Sequence, residues 1–139
     1  MEIYKDFIGW EATVRPEIEH VQKMLSRKLS DEPVELISDI NEVEVWSSRM
    51  GSLLAQADSF LDRYTLIAMP PREGRTEADR KALVDSETAP IRVMRDTLES
   101  ICEHIKQKLI WAESVLAFHR SQFPERKPGT PMPETARIY

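Results

Sequence analysis

The chain has one cysteine, Cys102, which excludes an internal disulfide framework and any multi-cysteine zinc module. Its four glycines stand apart from one another, so no glycine-rich loop is available to cradle a phosphate. Apolar runs are only a few residues long, too short for a membrane span. The start, Met1-Glu2-Ile3-Tyr4-Lys5-Asp6, lacks the apolar core of a secretory signal, and a cytoplasmic protein is expected. Neither charge sign dominates: 19 Lys+Arg against 24 Asp+Glu give a net charge of -5. With 41% hydrophobic and 31% charged residues in 139, the composition is that of one folded soluble domain.

What the chain has is helical periodicity punctuated by proline. Pro33 follows Ser30-Asp31-Glu32, a capping region with proline at the first helical turn. From there Leu36, Ile40, Val43, Ser47, Met50, Leu54, Ala57, Leu61, Tyr64 and Ala68 are separated by alternating steps of four and three. That is a heptad seam. A second column, Trp46, Leu53, Phe60 and Ile67, recurs every seven residues beside it. Together they predict one helix over 33–69, about 55 Å long at 1.5 Å per residue. Pro70-Pro71 ends it, because proline lacks the donor and restricts its predecessor.

The stretch 70–90 reads as a polar loop and a short helix opened by Thr76 and Asp79, with Pro90 as a kink or restart. The heptad steps return over 91–122, with a flanking column of Cys102, Leu109, Leu116 and Phe123, and with Trp111 and Phe118 beside it. Residues 1–32 form a shorter N-terminal helix, for which Thr13 and Pro16 are the start signals; Ile3, Phe7 and Trp10 make a preceding turn. Residues 123–139 are too proline-dense for helix or central strand and read as an extended arm. The expectation is all-α: a long antiparallel helical hairpin, a shorter N-terminal helix and a Pro-rich C-terminal arm.

The apolar stripes cover roughly half of each long helix, more than a two-helix contact uses. Leaving large side chains wet forgoes about 1.5–3 kcal/mol each, so self-association is expected to cover them. Trp46, Leu53, Phe60, Ile67, Trp111 and Phe118 are the candidate oligomer interface of a homo-oligomeric bundle.

Candidate chemistry is sparse. Glu17 and His20 make one Glu-x-x-His step, whereas a di-metal bundle needs two such steps and two further glutamates. All-helical nucleotide pyrophosphatases hold magnesium on a Glu-x-x-Glu followed by a Glu-x-x-Asp; Glu32-Pro33-Val34-Glu35 supplies only the first. Cys102 and His104 face different sides of their helix, and His119 reads as an end-of-helix residue. The expectation is no enzyme, no metal, no cofactor and no small-molecule substrate. Basic residues gather near the loop, where Arg72, Arg75, Arg80 and Lys81 interleave with Glu73, Glu77 and Asp79. Repeated around an oligomer axis, they would form a positive rim.

The pattern resembles the UvsY family of phage recombination mediators. The likeness lies in Asn41-Glu42-Val43-Glu44-Val45-Trp46, in Arg63-Tyr64 ahead of the loop and in Gly74-Arg75 within it. It continues through Lys81-Ala82-Leu83-Val84-Asp85 to Leu98 and Leu116, covering roughly 36–118. The resemblance implies a ring-shaped homo-oligomer that binds single-stranded DNA and helps a recombinase load. Arg63, Arg72, Arg75, Arg80 and Lys81 would then contact phosphates. The alternative is an oligomeric protein-interaction module, a scaffold component or an inhibitor, that docks on a larger assembly through 123–139. The acidic long helix favours it: between 33 and 69, Arg49 and Arg63 stand alone against Glu35, Asp39, Glu42, Glu44, Asp58 and Asp62.

Overall fold

The structure, a computed structural model, describes residues 4–122. They form four helices and no strand: α1 (Lys5–Ser26), α2 (Pro33–Ala68), α3 (Glu77–Glu87) and α4 (Ala89–Gln122). The expected arm over 123–139 lies outside the described residues. No helix among those described is long and apolar enough to cross a membrane.

Each boundary has a local cause. At the start of α2 the Glu32 carboxylate accepts from the Val34 and Glu35 amides, and Pro33 occupies a position that needs no donor. The helix stops at Ala68, ahead of the paired prolines. The connection then turns at Gly74, whose φ of 69 suits a residue without a Cβ, and the Arg75 amide donates to the Arg72 carbonyl at 3.2 Å. Thr76 opens α3 with a full capping box: its hydroxyl accepts from the Asp79 amide while Asp79 accepts from the Thr76 amide. Thr88 separates α3 from α4. It is buried, and its hydroxyl and amide both donate to the Val84 carbonyl, at 2.8 and 2.9 Å. Pro90 falls in the first turn of α4, where its missing donor costs nothing.

α2 and α4 pair along their length as the antiparallel hairpin. Leu36, Ile40, Val43, Met50, Leu53 and Ala57 meet Leu98, Ile101, Ile105 and Ala112 in one buried core. α1 lies over one flank of that hairpin and contributes Val14, Ile18, Val21, Met24 and Leu25. Its first turns form a smaller cluster in which Tyr4 and Phe7 pack with Tyr64 and Ile91. The Tyr4 hydroxyl donates to the Glu87 carbonyl, and the Trp10 indole donates to Gln56 at 2.6 Å.

Here the structure departs from expectation. α1 begins at Lys5, not near Thr13, and runs straight through Pro16. An interior proline forfeits one backbone hydrogen bond and crowds the preceding turn, at a cost of about 3 kcal/mol. Burial on both sides of it outweighs that: Phe7 and Val14 before it, Ile18 and Val21 after it. The longer α1 covers more of the hairpin than the sequence pattern had assigned to it.

Candidate functional site

The five predicted phosphate contacts do not form one cluster. Arg63 turns away from the loop toward α1: it donates to Asp6 at 2.7 Å and to the Tyr64 hydroxyl at 3.2 Å. Its guanidinium lies over the Phe60 and Tyr64 rings, 5.6 and 5.0 Å from their centroids. Arg80 is buried beneath the loop, where it donates to the Pro70 carbonyl at 3.2 Å and to Glu77 at 2.9 Å. A guanidinium committed to closing its own loop is a brace. Arg75 spans to the Pro71 carbonyl at 3.3 Å but stays exposed. Arg72 and Lys81 are exposed and have no side-chain partner among the described residues. The exposed cations at this end are therefore Arg72, Arg75 and Lys81, of which Arg75 is tied to the Pro71 carbonyl.

Nearby acids are partly engaged, Asp79 in the capping box and Glu77 with Arg80. The same end exposes large aliphatic side chains: Leu66 at 77%, with Ile67 and Met69 at the end of α2 and Leu83 on α3. We call this end, from Leu66 through α3, the loop pole.

The six predicted interface residues divide as well. Leu53 is fully buried inside the chain and cannot face a second copy. Trp46 and Phe60 are half-buried under α1: Trp46 lies against the His20 ring at 5.0 Å, and Phe60 packs edge-on to Phe7 and against Trp10. Leu53 thus sits in the core and the other two in inter-helix packing, Trp46 under the part of α1 that the sequence predicts and Phe60 under the turns that extend it before Thr13. Ile67, Trp111 and Phe118 are exposed.

The candidate metal residues are used in packing. Glu17 accepts a two-pronged pair from Arg49, at 2.9 and 2.8 Å, which holds its carboxyl below the usual value. Its neighbour in the motif, His20, packs tilted against Trp46. No three His, Cys, Asp or Glu side chains converge among the described residues. Burial, with Glu99 nearby, pushes the Cys102 thiol up, the opposite of an activated nucleophile. His119 closes the far end of the bundle with a contact of 3.0 Å to the Asp31 carbonyl.

Two clefts lie along the α1–α4 boundary. One, of about 320 Å³, is lined by Glu11, Arg15, Glu19 and Gln22 against Val93 and Thr97. The other, of about 280 Å³, is lined by Lys28, Leu29, His104, Gln107, Lys108 and Trp111. Both are open grooves rather than enclosed cavities. Comparison of the chain with protein-family models, with curated proteins and with solved structures finds no match.

Proposed function

We propose that this chain is a non-enzymatic helical interaction module that self-associates and docks a protein partner through its loop pole. The observation that carries the reading is the make-up of that pole: Leu66, Ile67, Met69 and Leu83 uncovered beside Arg72, Arg75 and Lys81. Apolar patches rimmed by charge mark protein contact surfaces. The partner face that fits is apolar with carboxylates at its edge. Single-stranded nucleic acid is held differently, on exposed aromatic faces beside cations. The pole's exposed apolar groups are aliphatic, while Tyr64 is buried and Phe60 is half-covered.

The test is a photo-crosslinking residue placed in the full chain at Ile67, with Val45, an exposed apolar position on the acidic stretch of α2, as control. Trapping of a protein in cells from position 67 but not 45 is the expected result. Trapping at neither position, or equally at both, removes the pole from the reading.

A second reading keeps the single-stranded DNA mediator that the UvsY resemblance implies. One observation favours it: Arg72 on the loop and Lys81 on α3 have no side-chain partner among the described residues, at an end that would repeat around any oligomer axis. It predicts salt-sensitive binding of a labelled oligonucleotide, lost in the Arg72→Ala, Arg75→Ala, Lys81→Ala triple variant. Absence of binding at low salt would retire it.

A further inference from the structure

Three exposed residues recur every seven positions on the outer face of α4: His104, Trp111 and Phe118. Trp111 is 42% exposed and Phe118 60%. Seven residues of helix rise about 10.5 Å, so the two rings stand in line along the axis, one such step apart. Trp111 also borders the groove of about 280 Å³ that Lys28, Leu29, His104 and Lys108 line.

The chain itself supplies a segment of matching period. Pro128, Pro131 and Glu134 are spaced by threes. A polyproline helix turns once in three residues and rises about 9.3 Å per turn, which puts three such side chains on one face. Over both steps the two rises differ by about 2 Å, a mismatch that side chains absorb. Aromatic-lined grooves hold proline-rich segments in this way, because the rings pack flat on the aromatic faces and a stiff segment has little freedom left to lose.

Connectivity favours the match. Gln122, the last described residue, comes eighteen residues after His104, five whole turns, so the chain leaves α4 on the same face. Residues 123–127 can span about 17 Å. The way back along the axis from Gln122 to Phe118 is about 6 Å. A segment running back along α4 then sets Pro128 on Phe118 and Pro131 on Trp111. Glu134 arrives beside His104, where Lys28 and Lys108 flank the groove.

Charge agrees with that direction. The Lys108 amine donates to the Arg27 carbonyl at 2.6 Å, which leaves its charge without a carboxylate among the described residues. Lys28 reaches Asp31 only at 3.9 Å, with the two side chains 81% and 74% exposed. A tether this short presents its segment at about millimolar effective concentration, so a segment of the same chain outcompetes one from a second copy in dilute solution.

We infer that residues 128–134 form an intrachain strap across α4, with Pro131 on Trp111, Pro128 on Phe118 and Glu134 between the two lysines. The strap is independent of what the loop pole binds, so failure of either leaves the other standing.

The experiment is nuclear magnetic resonance of the full chain, read at the indole N–H signal of Trp111, which is assigned by its loss in Trp111→Phe. In a Thr130→Cys, Cys102→Ala chain carrying a nitroxide at position 130, that signal is expected to lose most of its intensity. With Pro128→Ala and Pro131→Ala added, at least half of the loss is expected to be regained. An equal loss with and without the prolines is the mark of an arm that sweeps past the helix end, and it overturns the strap, as does no loss at all. The same pair of proline substitutions in the chain that keeps Cys102 and Thr130 is expected to shift the Trp111 indole signal; a signal that stays in place overturns the register. Mixing isotope-labelled chains without nitroxide and unlabelled chains with it separates the sources. Broadening of Trp111 in that mixture would put the segment of a second copy on this face and overturn the intrachain assignment.

Discussion

Two aromatic-bearing columns of this protein share one spacing and have different fates. Trp46, Leu53 and Phe60 on α2 recur at sevens, as do Trp111 and Phe118 on α4. These members of the α2 column are buried or half-buried where α1 lies over them, while its last member, Ile67, is exposed; the α4 column remains open. Spacing identifies a face that wants a neighbour, but it does not say which neighbour arrives. The cover for the α2 column was itself encoded in the chain, as Phe7, Trp10, Val14, Ile18, Val21 and Leu25. Their steps of three and four form a helical stripe across Pro16. No stripe of that quality is left among the described residues to cover Trp111 and Phe118.

The comparison is broken most forcefully by removing the cover. Phe7 is 1% exposed and touches Trp10 and Phe60 with ring centroids at 6.0 and 5.8 Å. Phe7→Ala deletes a buried ring and leaves a cavity between α1 and the hairpin, so a loss of about 3–5 kcal/mol is expected in denaturant unfolding. The stabilisation of α1 by the hairpin would be local packing of little weight if the loss stayed below about 1 kcal/mol.

A smaller effect of opposite sign comes from the residue that hid α1 in the sequence. Pro16 is exposed and interior to the helix. Replacing it with alanine restores a backbone donor and removes a clash, a helical gain of about 3 kcal/mol. Greater freedom of the unfolded chain takes back about 0.4–1 kcal/mol of it. Pro16→Ala is therefore expected to raise stability by about 2 kcal/mol. A variant no more stable than the parent would mean that the turn around Pro16 is not regular helix.

These two substitutions mark where sequence reading held and where it stopped. Both long helices, the Thr76 cap and the Pro70-Pro71 break were legible, because each rests on local rules: periodicity, side-chain capping and the missing proline donor. The extent of α1 was not, because tertiary burial overrode a local penalty. The cations around the loop divide for a related reason. Arg72, Arg75, Arg80 and Lys81 are alike as letters, yet Arg80 alone lies where the Pro70 carbonyl and Glu77 meet. Which cation braces a loop and which stays free is decided by three-dimensional neighbours that spacing does not contain.

The finest probe of how α1 is seated is the Glu17–Arg49 pair, a two-pronged ion pair that joins α1 to α2. Both side chains are partly exposed, at 32% and 43%, so solvent screening limits their joint value to under about 1 kcal/mol. The direction of its pH dependence follows from the carboxyl. Arg49's hydrogen bonds lower the Glu17 pKa in the folded chain, so the folded state resists protonation that the unfolded state accepts. The stability difference between the parent and Arg49→Gln should be present at neutral pH, above the unfolded carboxylate value. It should shrink as pH falls through the lowered folded value, and vanish once Glu17 is protonated in both states. Chemical denaturation of the two chains from neutral to acid pH measures it. A difference that persists undiminished in acid would assign Arg49's contribution to the packing of its stem against α1 rather than to its charge.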